Sequence, residues 1–218
     1  MNATVKDVMT THVVAVTKDA SFKDVAALLR QHQVSTFPVV DAAGKVIGVV
    51  SETDMLPKEA LLAGLPAQGP GPGAAATDHN DFVKAIGVTA ASIMTTAPVT
   101  ITPDEPVTSA ARLMYSCKVR SLPVVTADGY LAGIISRADV LSVFDRSDDE
   151  VRSEITDCLL DEFLVDPAAL AVTVKDSVVT LTGVPENNEL GHQIVQRVRH
   201  IPGVVAVRDR LNYSSPEG

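Results

Sequence analysis

The chain has 218 residues, 46% of them hydrophobic, with a formal net charge of −9 and a mean hydropathy of +0.20. That is enough apolar material for one large domain or two to three small ones, while the absence of Trp and an aromatic share of 4% exclude a large aromatic cage for a ligand. The acidic balance disfavours nucleic acid or an anionic membrane as a simple electrostatic partner.

The opening MNATVKDVMT carries Lys6 and Asp7 but no apolar run of the kind a secretory signal needs. Two stretches lack charge, Ala60–Thr77 and Ile86–Pro103. The first is broken by Gly and Pro and the second is rich in Thr and carries Pro98, so no membrane span is expected. Cys117 and Cys158 lie far apart with no Cys-x-x-Cys, which suits a reducing compartment and two ordinary thiols. A cytoplasmic protein is the expectation.

In chain order, Val13–Val16 reads as a short β-rich piece. Ser21 then caps a helix, with Asp24 placed as in a capping box and Phe22, Val25, Ala26 and Leu29 at helical spacing. Phe37–Val40 and Val46–Val50 read as strands joined by the turn residues Asp41–Gly44. A second helix is predicted from about Ser51, extended by Pro57–Leu62. Leu65–Ala76, LPAQGPGPGAAA, holds no regular element and reads as a linker. Asp81–Gly87 is expected as a short helix leading back into ordered chain.

The pattern then starts again. Setting Met9 against Met94 aligns 5–56 with 90–141 without a gap. Met9-Thr10-Thr11 matches Met94-Thr95-Thr96, and Pro38-Val39-Val40 matches Pro123-Val124-Val125. Gly44, Gly48, Ser51 and Asp54 match Gly129, Gly133, Ser136 and Asp139. In the second copy Pro106 takes an early helical position, where its missing N–H costs nothing.

After Phe144 the composition shifts. Residues 145–218 hold 14 acidic and 7 basic side chains, against 13 and 11 in residues 1–144. Val151, Ile155, Leu159 and Phe163 make an apolar stripe through the most acidic part, so 149–163 is an amphipathic helix rather than an acidic tail. LAVTVKDSVVTLTG reads as two strands about a tight turn at Lys175–Ser177, with Gly183 ending the hairpin. A helix follows from about Asn187 to His200, and Gly203 opens a last strand, VVAVRDRLNY. Arg197, Arg199, His200, Arg208 and Arg210 read either as solvated charges or as a local basic face.

The combination of VMTT before the first strand, apolar-Pro-Val-Val, and Gly-x-apolar-apolar-Ser-x-x-Asp resembles a tandem pair of CBS (cystathionine β-synthase) domains. The order helix, strand, strand, helix, strand, with IPGVVAVRDRL at the close, resembles a BON domain. The expected fold is α+β: two βαββα repeats in a pseudo-two-fold module, plus a small αββαβ domain. The expected boundaries are 1–62 for the first repeat, 63–89 for a linker and insertion, 90–144 for the second repeat, and 149–213 for the BON domain. The first resemblance implies two clefts for an adenosine-containing ligand such as AMP, ADP, ATP or S-adenosylmethionine, and association as a homodimer. The second is linked with phospholipid or other surfaces.

Ser-x-x-Asp supports a nucleotide on chemical grounds. Backbone N–H groups at a helix start favour an anion, Ser51 or Ser136 can donate to a phosphate oxygen, and Asp54 or Asp139 can accept both hydrogen bonds of a ribose diol. Gly48 or Gly133 allows close approach. The same spacing also fits a plain capping box. By resemblance the ligand-contacting set is Thr17, Thr36, Pro38, Ser51 and Asp54 in the first repeat. In the second it is Thr102, Arg120, Ser121, Pro123, Ser136 and Asp139. Arg120 and Arg137 stand where the first repeat has Ser35 and Glu52, so the second cleft suits a phosphorylated ligand better. His32 aligned with Cys117, and His12 alone, make no metal site. No G-x-S-x-G, H-E-x-x-H or P-loop occurs. The expectation is a non-enzymatic sensor without catalytic cofactor or metal, passing its nucleotide state to the BON domain or a protein partner. The alternative is a membrane- or surface-associated stress protein acting through the BON domain, with the repeats as a dimeriser.

Overall fold

The computed structural model describes residues 3–62, 84, 86–166 and 169–213. The expected linker Leu65–Ala76 lies outside the described residues, as does most of Asp81–Gly87. Contacts divide the chain into two units, Met9–Arg137 and the segments Met1–Val8 with Ala138–Gly218.

In the first unit, β1 (Val16–Thr17) runs parallel to β2 (Thr36–Val40), with Val16 opposite Val39. This strand is shorter and later than the expected Val13–Val16, because Val14 stays 37% exposed and only Val16 is buried. A short helix α1 (Val5–Val8) precedes β1 in the chain, and between β1 and β2 α2 (Phe22–His32) is capped by Ser21, whose hydroxyl accepts from Asp24 N–H at 3.1 Å. β2 turns back as β3 (Val46–Ser51). The turn is built by Asp41, whose Oδ1 accepts from the N–H groups of Ala43 and Lys45 at 2.9 Å each. Gly44 at φ 86° supplies the left-handed residue that this turn requires. α3 (Glu52–Leu62) follows directly.

The second repeat reproduces this register. α4 (Ala90–Ile93) and β4 (Thr95–Thr96) lead into α5 (Val107–Ser116), which Pro106 flanks as N-cap rather than entering its first turn. β5 (Ser121–Val125) pairs with β6 (Leu131–Ser136). Ser121 faces Ser136 as Thr36 faces Ser51, and both ladders shift register at the equivalent Val-Val step. The counterpart of β1 is reduced to a parallel bridge between Ile101 and Val124.

The two repeats also exchange chain. β4 pairs with β3 of the other repeat, Thr95 opposite Val49, while Thr10 bridges Ile134 in the antiparallel sense. At the hairpin turns Lys45 bridges Tyr130, and Lys45 Nζ lies 5.2 Å from the Tyr130 ring centroid. These reciprocal contacts give the pair its pseudo-two-fold character. Val25, Leu29, Phe37, Val39, Val50, Ala90 and Ile93 form a core in which the helix of one repeat meets α4 of the other.

α6 (Arg137–Leu141) begins on the last residue of the first unit, and a 3₁₀ turn (Ser142–Phe144) follows it in the chain before α7 (Asp148–Asp161) of the second unit. Ser147 and Glu150 cap α7 reciprocally: Glu150 N–H donates to Ser147 Oγ at 3.3 Å and Ser147 N–H to Glu150 Oε2 at 2.8 Å. β7 (Leu170–Lys175) and β8 (Val178–Gly183) form a hairpin, and α8 (Asn188–Val198) crosses over to β9 (Ala206–Leu211), parallel to β8. The αββαβ order is as expected. Phe163 falls beyond the end of α7 but still packs on the core of Val151, Ile155, Leu159, Val179, Leu181, Ile194 and Val198. Gly203, at φ 93°, turns the chain ahead of β9, so the strand begins later than the sequence suggested. Among the described residues no helix is long and apolar enough to cross a membrane.

Candidate functional site

Antiparallel pairing carries each predicted Ser to the end of a strand beside the residue that opens the neighbouring strand. In the first repeat Ser51 stands opposite Thr36, and Glu52 N–H donates to Ser35 O at 3.1 Å. In the second, Ser136 stands opposite Ser121, and Arg137 N–H donates to Arg120 O at 3.1 Å. The ladder therefore brings Arg120, Ser121, Ser136 and Arg137 together. The Arg137 guanidinium also donates to Val119 O at 3.2 Å.

The two copies differ in how their polar atoms are used. Asp54 is 7% exposed, and both of its oxygens are engaged. Oδ2 accepts from Ser51 N–H and Ser51 Oγ–H, each at 2.7 Å. That carboxylate reaching back to the residue before the helix is the capping geometry the sequence had left open. Oδ1 forms an ion pair with the Lys84 ammonium, and Thr95 Oγ1 lies 3.4 Å away. Lys84 is itself 7% exposed and donates to Thr95 Oγ1 at 3.3 Å. A buried charge without a partner is costly; here each supplies the other's.

In the second repeat, Ser121 Oγ is buried and has no hydrogen-bond partner among the described residues. Such a group loses its hydration without compensation, at about 1–3 kcal/mol. Ser136 and Asp139 each have an interaction partner. Asp139 lies in the first turn of α6, which is only five residues long. The N-terminal dipole argument is therefore weak there.

The remaining predicted residues are not gathered at these strand ends: Pro38 and Pro123 sit in mid-strand, and the register places Thr17 and Thr102 toward the far ends of β2 and β5. Pro38 is buried opposite Val49, and Pro123 is buried opposite Ile134 with its carbonyl accepting from Ile101 N–H at 3.1 Å. Thr102, next in the chain, donates from N–H and Oγ to Glu105 Oε1, each at 3.2 Å. Thr17 is exposed on β1, opposite Val40. Gly48 and Gly133 are approached by protein: a Cβ on either would meet the sulfur of Met94 or Met9, respectively.

Lys84 did not stand out from the residues alone. One signal was there: it is the one Lys or Arg between Lys58 and Arg112.

On the second unit, strand alternation turns Thr173, Lys175, Thr180 and Arg208 away from the core, and they line a shallow depression of about 240 Å3 with Asp176 and Val178. The five basic residues considered as one face are divided. Arg197 on α8 is held by both oxygens of Glu162, at 2.8 and 2.7 Å, whereas Arg208 and Arg210 belong to β9. His200 bonds Gln196 O at 2.7 Å. Among the described residues no group of three or more metal-ligating side chains is found.

Comparison with known proteins matches the CBS domain model to residues 5–59 and 90–146, more than half of the chain, and the BON domain model to 147–215. An uncharacterized protein of Methanocaldococcus jannaschii is 30% identical over 155 residues, 63% of this chain and 88% of its own length. A second from the same organism is 33% identical over 141 residues, 65% of this chain but 44% of its own length. Among solved structures, CBSX2 of Arabidopsis thaliana, in complex with AMP, superposes with a TM-score of 0.55 at 31% identity, covering 64% of this chain and 94% of that one.

Proposed function

Since the chain belongs to the CBS-domain family and carries a BON domain after its second CBS repeat, we propose that it is a non-enzymatic regulatory protein whose CBS pair binds an adenosine-containing ligand. AMP leads the candidates, with ADP, ATP and S-adenosylmethionine in the same class, because CBSX2 was solved with AMP. The observation that carries this reading is the buried Ser121 hydroxyl, without a hydrogen-bond partner among the described residues, at the strand end shared with Ser136, Arg120 and Arg137. A phosphate or sugar oxygen there restores its lost hydrogen bond, and a charge-assisted bond from Arg120 adds to it. Asp139 is the ribose acceptor in this reading. The nucleotide state passes to the BON domain or to a protein partner, and the CBS pairs associate as a homodimer.

Calorimetric titration tests this. Asp139→Ala should cost on the order of 1–3 kcal/mol of AMP binding. Arg120→Ala should weaken AMP and ATP but spare adenosine. Asp54→Ala should weaken overall binding less. Undiminished AMP binding by Arg120→Ala removes that residue from the site, and a monomer mass by light scattering at tens of micromolar removes the dimer.

The depression on the BON sheet, lined by Thr173, Lys175, Thr180 and Arg208, favours a second reading in which this domain meets an anionic phospholipid surface. Co-sedimentation with anionic but not neutral liposomes supports it, and equal partitioning with both counts against it.

A further inference from the structure

A carboxylate has about four lone-pair sites for hydrogen bonds. On Asp54 all are in use: Ser51 N–H and Oγ–H on Oδ2, and the Lys84 ammonium with the Thr95 hydroxyl on Oδ1. A ribose diol needs two acceptor positions on this same carboxylate. With 7% of Asp54 exposed and Lys84 equally buried, the diol cannot be added to what is already there.

The backbone that delivers Lys84 is anchored to the first repeat. Gly87 N–H donates to Lys84 O at 3.1 Å, and Gly87 O accepts from Lys58 Nζ at 2.6 Å. A Cβ on Gly87 would stand 2.7 Å from Ile93 Cγ2 and 2.8 Å from Ser92 Oγ, so the backbone is tightly packed there. Phe22 N–H donates to Val88 O at 2.9 Å, Ala90 N–H to Ala20 O at 2.8 Å, and Ala91 N–H to Lys18 O at 2.9 Å. Lys58 lies 4.9 Å from the Phe22 ring centroid. These bonds hold the backbone, but the Lys84 side chain has rotatable bonds of its own.

We propose that Lys84 is an internal competitor for the first cleft: its ammonium takes up the capacity of Asp54 that a ribose diol would use. An adenosine ligand enters this cleft only when Lys84 swings away. This deepens the nucleotide-binding reading above and rests on it. The first cleft is then a high-threshold site, filled only at ligand concentrations well above those that fill the second.

Calorimetric titration of the full chain with AMP should give one site per chain. Lys84→Met should add a second, which Lys84→Met combined with Asp54→Ala should abolish. Two equivalent sites in the unaltered protein overturn the proposal, as does an unchanged stoichiometry in a folded Lys84→Met. A first cleft weakened by Lys84→Met also overturns it, by making Lys84 a ligand contact instead. Removing the ammonium leaves a buried carboxylate, so a second measurement uses the unaltered chain. Lys84 acetylation by an amine-reactive acetyl ester, read by mass spectrometry, should be much slower than that of the exposed Lys23 and should accelerate at AMP concentrations above saturation of the tight site. Acetylation as fast as that of Lys23 without AMP, or no acceleration with it, overturns the competitor role. If neither the unaltered protein nor Lys84→Met binds any adenosine ligand, the nucleotide reading itself fails and the competitor role falls with it, whatever the acetylation rate.

Discussion

Met94 lies against Gly48, and Met9 lies against Gly133. A Cβ on Gly48 would stand 2.5 Å from Met94 Sδ and 3.0 Å from Thr95 O, and one on Gly133 would stand 2.7 Å from Met9 Sδ and 2.9 Å from Thr10 O. Each repeat thus lends its Met-Thr segment to the sheet of the other, and each Gly is the place where that segment comes closest. The close approach expected of a ligand is made by the partner repeat. Gly48→Ala and Gly133→Ala should each lower stability by about 1–3 kcal/mol, as overpacking does. Adding Met94→Ala to Gly48→Ala should recover only part, because Thr95 O is backbone and cannot turn aside. Urea midpoints measure this; an unshifted midpoint in Gly48→Ala would mean that β4 yields freely.

Ser121→Ala separates fold from ligand. The hydroxyl is buried with no partner among the described residues, so its removal should leave the unfolding midpoint unchanged or raise it. The same change should weaken AMP several-fold in calorimetry. A loss of stability would instead point to an internal partner for the hydroxyl.

The β7–β8 hairpin depends on a distant carboxylate. Asp176 and Ser177 sit at φ 51° and 59°, the left-handed pair of a tight hairpin turn. Their N–H groups donate to Asp148 Oδ2 and Oδ1 at 2.9 and 2.8 Å. Asp148→Ala should cost about 1–2 kcal/mol, with Asp148→Asn intermediate because it keeps one acceptor. Ser177→Gly should be stabilising, since glycine adopts this φ without strain. Thermal unfolding followed by circular dichroism ranks the three variants, and a neutral Asp148→Ala would show that the turn stands alone.

Acid should loosen the second unit through two glutamates. The Arg197 guanidinium holds the Glu162 carboxyl below its ordinary range, and the Ser147 N–H and hydroxyl do the same for Glu150. A carboxyl with a lower pKa folded than unfolded stabilises the fold above the unfolded value, and that contribution is lost as the pH falls through the folded one. The stabilisation should therefore be complete at neutral pH and decline below about pH 4.3, the usual glutamate value. Glu162→Gln should flatten the fall in melting temperature between neutral and acidic pH. Both carboxylates are solvent-facing, so added salt should shrink the difference. An acid limb as steep in Glu162→Gln as in the unaltered chain would remove this pair from the account.

The repeat, the strand pairs and the capped helices were legible in the residues because each rests on near neighbours. Ser21 and Asp24 are three apart, Asp41 builds its turn within four residues, and apolar spacing sets which face of α2 is buried. The equivalence of Thr36–Ser51 and Ser121–Ser136 followed from the ungapped alignment, since equal spacing about equal turns imposes equal register. The errors lay at ends: Val16–Thr17 in place of Val13–Val16, and Pro106 before its helix rather than within it. Tertiary structure alone decided that Met94 and Thr95 serve the first repeat's sheet, that Arg197 meets Glu162, and that Lys84 neutralises Asp54. Local pattern determines which face of an element is apolar. Which charge meets a buried carboxylate is determined by where a segment thirty residues away docks, and that depends on the packing of the whole unit.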